Sequence, residues 1–210
     1  MRDAYNTMAS FWMPFTANPA KKHGLSQSRL ASIVQRIAQF GAVDTPPATV
    51  ERLLDNLTFK RDARVLEPSA GKGAICKPLL ARGAAVDAVE AHPSRAAALR
   101  GLRHPALSVR STNFLKLPPA AIYDLVLMNP PRIGTQWMEH VQHAFEFLAP
   151  NGELRAILPA SAEYGATKKH ETFRAWASNH APLGLWRDMP PAHFAWGGIR
   201  INTLVLTLTK

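Results

Sequence analysis

A chain of 210 residues, 47 % apolar and 19 % charged, has the composition of an ordinary globular protein and enough length for one well-filled core. Its net charge of +10 favours a polyanionic partner, nucleic acid ahead of an anionic membrane. A single cysteine, Cys76, excludes an internal disulfide and a cysteine-based zinc site; no apolar run is long enough to cross a bilayer, and the first residues lack the basic-then-apolar order of a secretory signal, so a cytoplasmic protein is expected.

Residues 1 to about 25 carry Phe11, Trp12, Phe15 and the pair Lys21-Lys22 without clear periodicity, which suits either a segment tied onto the core or an arm closing over substrate. From Ser26 to Phe40, Leu30, Ile33, Val34 and Ile37 recur at helical spacing opposite Arg29 and Arg36, predicting an amphipathic helix that Gly41 ends. Residues 1–44 are read as an N-terminal extension and 45–210 as the main domain. That domain starts at Thr45-Pro46-Pro47 with a helix through Val50, Leu53, Leu54 and Leu57. Strands are expected near 64–67, 85–90, 107–110, 123–128, 153–158, 183–187 and 201–208, and further helices near 74–82, 93–101, 136–148 and 168–179. Strand and helix alternating at this spacing predict an α/β fold with a mostly parallel sheet covered on both faces. Between the last two strands there is no helical signal, so they are expected to pair antiparallel.

Asp124-Leu-Val-Leu-Met-Asn129-Pro130-Pro131-Arg132 carries the most chemical information. A short apolar run reads as a buried parallel strand, and the prolines forbid a helix from following directly. The chain therefore leaves the strand in a stiff turn at the carboxyl edge of the sheet, where open α/β folds place their ligands. Asn129 and the Pro130 carbonyl stand there as two fixed acceptors, which suits a planar NH2 group on a conjugated carbon. By itself this turn also fits an asparagine that merely caps a neighbouring amide.

Upstream, Arg64-Val-Leu-Glu67-Pro68-Ser69-Ala70-Gly71-Lys72-Gly73 is another strand running into a glycine turn and then a helix. A dinucleotide fingerprint would want a third glycine where this chain has Cys76. The two motifs together resemble the class I S-adenosylmethionine-dependent methyltransferases, and among them the branch that methylates adenine in DNA. The resemblance spans roughly residues 45–210. It implies a Rossmann-like methyltransferase fold of seven strands with the last one antiparallel, S-adenosylmethionine as cofactor, no metal, and DNA as partner with RNA as the alternative.

On the cofactor side the resemblance implies Thr45 and Pro46 at the methionine end, and Glu67 toward the ammonium group. Ser69, Ala70, Gly71 and Gly73 would form the loop around it, Glu90 would accept the ribose hydroxyls, and Asn129 would border the transferred methyl. Asn113-Phe114 stands where the family usually has Asp-Phe at the cofactor adenine, the acceptor kept and the ring packing on the base. On the substrate side Asn129, Pro130 and Pro131 form the catalytic turn. Arg132 replaces the usual Tyr or Phe that stacks on a flipped base, and either stacks its guanidinium plane or binds phosphate. Phe194, with Trp196 nearby, is a second candidate contact for the base, and Lys168, Lys169, His170 and Arg174 form a basic cluster for the nucleic-acid backbone. His140 and His143 share helical spacing but lack an evident third ligand, so no metal is expected. The expected activity is adenine-N6 methylation of DNA with little sequence discrimination, since no room remains for a recognition domain. The alternatives are an RNA base-amino or protein glutamine methyltransferase, or a catalytically silent nucleic-acid-binding protein of the same fold.

Overall fold

The computed structural model describes residues 44–181, 186–188, 195–196, 199–200 and 203–210. The helix expected at 26–40, Phe194 and the side chain of Trp196 lie outside the described residues. The strands in chain order are β1 (Arg64–Glu67), β2 (Ala85–Val89), β3 (Leu107–Arg110), β4 (Tyr123–Met128), β5 (Leu148–Pro159), β6 (Trp186–Asp188), β7 (Ala195–Trp196), β8 (Ile199–Arg200) and β9 (Thr203–Thr209). Seven of them make one sheet in the order β3-β2-β1-β4-β5-β9-β6, while β7 and β8 pair antiparallel as a separate two-stranded sheet. β1 to β5 run parallel, and β9 is antiparallel to both neighbours, β5 and β6. From β1 the chain is wound to β2 on one side and to β4 on the other, which opens a crevice at their carboxyl ends.

Helices α1 (Pro47–Leu54), α2 (Cys76–Ala81), α3 (Pro93–Arg100), α4 (Gln136–Phe145), α5 (Ser161–Tyr164) and α6 (Lys168–Ser178) cover the sheet. The two-residue alternation of the strands explains the two core layers. In β4, Val126 and Met128 point to the face packed by Trp137, Phe145 and Phe173 of α4 and α6. Leu125 and Leu127 point to the face packed by Leu53, Leu79 and Leu99 of α1, α2 and α3. A strand covered on both sides reads as a continuous apolar run, which is why β4 is legible in the sequence.

Several boundaries differ from expectation: α1 stops at Leu54 instead of running through Leu57. β5 starts at Leu148 rather than near 153, because Asn151, in a left-handed conformation (φ 64°), and Gly152 let the strand bulge and keep pairing with β4. That early strand start also ends α4 at Phe145 instead of 148. α2 starts at Cys76 rather than Ala74, because residues 71–75 are still turning. Arg155 on β5 is buried and donates from Nη1 to the Leu53 and Asp55 carbonyls (3.1 and 2.7 Å), tying the end of α1 to the sheet. Among the described residues no helix is long and apolar enough to cross a membrane.

Candidate active site

Two loops meet at the crevice, one from β1 and one from β4. Glu67 ends β1 and is 2 % exposed; its Oε2 accepts a hydrogen bond from the Cys76 thiol at 2.6 Å. Burial pushes the Glu67 carboxyl up to about 8; the hydrogen bonds from Cys76 pull it down in part and the nearby Glu90 charge adds to the rise. The same burial, followed by the charge of Glu67, pushes the Cys76 thiol up, so it is a donor and not a nucleophile. Cys76 thus fills the core, as its small size suggests, and also supplies a hydrogen bond to an acid that has left water.

Glu90, just past β2, is also buried, and both its oxygens accept backbone N–H groups: Gly71 at 2.8 Å and His92 at 2.7 Å. It therefore staples the glycine loop to the end of β2. A carboxylate has about four acceptor positions, so two oxygens engaged once each can still take two hydroxyls.

The glycines of the loop have different reasons to be glycine. Gly71 (φ +56°) faces open space, with no atom within 4 Å of where a Cβ would stand. Gly73 (φ +84°) faces inward, where a Cβ would meet Leu99 Cδ2 at 2.8 Å. The lack of a side chain at Gly73 makes room for α3. Gly73→Ala is expected to cost about 2–4 kcal/mol of stability, from left-handed strain plus overpacking, against about 1–2 kcal/mol for Gly71→Ala. Urea unfolding of the two variants checks this, and equal losses would show that the Leu99 contact is immaterial.

On the other loop, Asn129 is held at both ends of its amide. Its Nδ2 donates to Thr45 Oγ1 at 3.0 Å, while its Oδ1 accepts from Arg132 Nε (3.3 Å) and Nη2 (3.0 Å). The Nδ2 bond brings together Thr45 and Asn129, 84 positions apart. Pro46 caps α1, its carbonyl accepting the Thr49 and Val50 amides, each at 3.0 Å. Asp44 meets Lys72 of the glycine loop at 3.2 Å, so residues 44–46 bridge the two loops, a tie with no signal in the sequence.

Arg132 is 5 % exposed and folded back onto Asn129. Burial lowers its guanidinium to about 9, which leaves it charged at neutral pH. Phe114 is 2 % exposed, with its ring against His143 (4.8 Å), Phe147 (5.2 Å) and His140 (6.0 Å). Asn113 is exposed and its Oδ1 accepts the Leu115 amide at 3.0 Å, capping the short 3-10 turn Phe114–Lys116. Of the basic cluster, Lys168 and Lys169 are exposed. His170 is buried and bonded to Thr167 at 2.7 Å, and Arg174 turns back to the carbonyls of Gly165 (2.8 Å) and Ala162 (3.3 Å). Helical geometry explains the split, because 170, 173 and 177 share the inward face of α6. His140 is buried, and burial holds its imidazole down to about 4, whereas His143 meets the Leu117 carbonyl at 3.1 Å.

The same layout of strands and helices recurs in solved structures. TYW2 from P. horikoshii in complex with MeSAdo superposes with a TM-score of 0.58 at 19 % identity, over 82 % of this chain and 65 % of that one. The methyltransferase subunit of a type I restriction-modification system from Streptococcus thermophilus gives 0.61 at 15 % identity, over 78 % of this chain and 43 % of that one. An RNA methyltransferase from Salinibacter ruber in complex with S-adenosyl-L-homocysteine gives 0.55 at 14 % identity, over 80 % and 93 %. The fold is the Rossmann-like fold of class I S-adenosylmethionine-dependent methyltransferases. At these identities the likeness is one of fold, and the chain spans under two thirds of the first two neighbours. No family model matches the sequence, and no curated protein matches it either. Within this methyltransferase fold the crevice falls between β1 and β4, and both motifs singled out in the sequence open onto it.

Proposed function

We propose that the chain transfers a methyl group from S-adenosylmethionine to the exocyclic N6 amino group of adenine in DNA, with little sequence specificity. The observation that carries this reading is Asn129 at the carboxyl end of β4, locked by Thr45 with its amide oxygen held toward a nitrogen donor. The fold neighbours support methyl transfer, and one of them is a restriction-modification methyltransferase subunit.

The β1 side fits a cationic nucleoside. Open space over Gly71 admits a ligand, and two buried acids, Glu67 and Glu90, stand beside it. In this reading Glu67 meets the ammonium group, Glu90 the ribose hydroxyls, and Ser69, Ala70 and Gly71 line the loop. Bound there, S-adenosylmethionine supplies a methyl group activated by its positive sulfur.

The chain's own task is to present the amine. An aromatic amino nitrogen is a poor nucleophile because its lone pair is delocalised into the ring. Asn129 Oδ1 and the Pro130 carbonyl accept its two hydrogens, favour a more tetrahedral nitrogen and aim the lone pair at the methyl. The methylated nitrogen is acidic and gives its proton to solvent, so no strong base is needed. Arg132 must first release Asn129 Oδ1, exchanging one N–H donor for another.

The Arg132 contact also favours a second reading, a nucleic-acid-binding protein of this fold in which the acceptor stays filled and no transfer occurs. Calorimetry and oligonucleotide titration test the binding half of the proposal. S-adenosylmethionine and its demethylated product are expected to bind where NAD does not, and DNA is expected to bind with strong salt dependence and little preference for sequence. Preference for NAD, or tight binding of one short DNA motif alone, would refute it.

A further inference from the structure

Immediately beyond Arg132, residues Ile133 to Thr135 form one end of a groove of about 770 Å3 between the first turns of α4 and α6. That volume lies within the roughly 300–1,000 Å3 usual for sites that take small molecules. Ile133, Met138 and Phe173 make an apolar floor. Lys168 and Lys169, both exposed, line the α6 wall, whereas the α4 wall carries Gln136, Gln142 and Glu139. We propose that this groove is a second nucleotide subsite, holding the nucleotide next to the one presented to Asn129. The proposal rests on the function proposed above and adds where the neighbouring part of the strand is held.

The asymmetry of the walls sets the orientation. A phosphodiester is drawn to the two lysines and kept from the α4 side by the Glu139 carboxylate. The base then lies over the apolar floor with its polar edge toward Gln136 and Gln142, whose amides offer donors and acceptors alike. Amides with both capacities accommodate any base, which accords with contacts that position the strand and carry little sequence information. Thr167, the residue before α6, has its hydroxyl engaged by His170 at 2.7 Å and does not cap the helix, so the positive end of that helix adds to the attraction on the lysine side. The groove begins with Ile133, the residue after Arg132, so it adjoins the catalytic turn along the chain.

DNA and RNA share the sugar–phosphate chemistry involved, so the test uses single-stranded 12-mers of each, titrated against the full chain with S-adenosylmethionine bound. Lys168→Gln/Lys169→Gln should weaken binding about tenfold at moderate salt and reduce the slope of log affinity against log salt by about 1–2 units. Thr172→Trp on the exposed rim should block the groove, lowering affinity without altering the salt slope, because no charge changes. Neither change should alter cofactor affinity. Lys60→Gln/Arg61→Gln, an exposed basic pair just before β1 at the opposite edge of the sheet, should leave oligonucleotide binding as it is. Equal loss from that distant pair, or full binding by Thr172→Trp, overturns the subsite while leaving the methyltransferase reading standing. Failure of the unmodified chain to bind either 12-mer overturns both. Tighter binding of the RNA 12-mer supports the subsite and moves the substrate from DNA to RNA.

Discussion

Asn129→Ala is expected to abolish methyl transfer, lowering turnover at least about 10²–10³-fold, the usual loss when a preorganised transition-state contact is removed. Cofactor affinity should stay nearly unchanged, since Glu67, Glu90 and the glycine loop lie on the β1 side of the crevice. A companion variant separates the two readings of Arg132. If the guanidinium only occupies Asn129 Oδ1 until the amine displaces it, Arg132→Phe should match or exceed the unmodified enzyme, because the acceptor is then open and a ring can stack on the base. If Arg132→Phe is folded and cofactor-bound yet inactive, the arginine reads a charge, and adenine in DNA loses support as the target. Loss of cofactor binding together with activity in Asn129→Ala would instead give Asn129 a structural role through Thr45.

The second large effect concerns Glu67. Its carboxyl titrates near 8 when folded, well above its ordinary value, so between those limits the folded chain holds a proton that the unfolded chain has lost. Stability is therefore expected to fall as pH rises from about 5 to 8, by up to about 3–5 kcal/mol. Glu67→Gln, neutral at every pH, should be flat across that window and more stable than the parent at pH 8. Cofactor binding should show the opposite trend in the parent. An ammonium group approaching Glu67 needs it ionised, so binding releases a proton and affinity rises by up to about tenfold per pH unit until pH 8. In Glu67→Gln that rise should vanish, along with about 1–3 kcal/mol of affinity. Denaturation and calorimetry at pH 6, 7 and 8 measure both effects. Parallel slopes in parent and variant would assign the proton to another group.

Much of the fold was legible because it is written in burial. β1, β3 and β4 lie where their apolar runs and the flanking Pro and Gly residues put them, and the lack of a helix signal after residue 187 gave the antiparallel pairing of β6 with β9. Turn chemistry was harder to read: Asn151 and Gly152 resemble a loop, yet their bulge keeps β5 paired. At the site, the sequence singled out Glu67, Glu90, Thr45 and Asn129, and the fold brings Thr45 to Asn129 and Glu90 to the glycine loop. The sequence could not show which acceptor each donor would choose. The Arg132–Asn129 contact, the Cys76 thiol on Glu67 and the inward turn of Phe114 depend on which neighbours the finished fold provides, and no residue spacing encodes them. Lys168 and His170 are two positions apart, and only their places on the helix surface separate an exposed cation from a buried ring.

Methyl transfer to an amino group held by Asn129 is read out by incubation with S-adenosylmethionine carrying an isotopically labelled methyl group, together with DNA, RNA and protein, followed by mass spectrometry of nucleosides and peptides. Label is expected in N6-methyladenine from DNA, with single strands modified more readily than duplexes because less unstacking is required. Label on a carbon or an oxygen, or no label in any product from a chain shown to bind both cofactor and DNA, would contradict it.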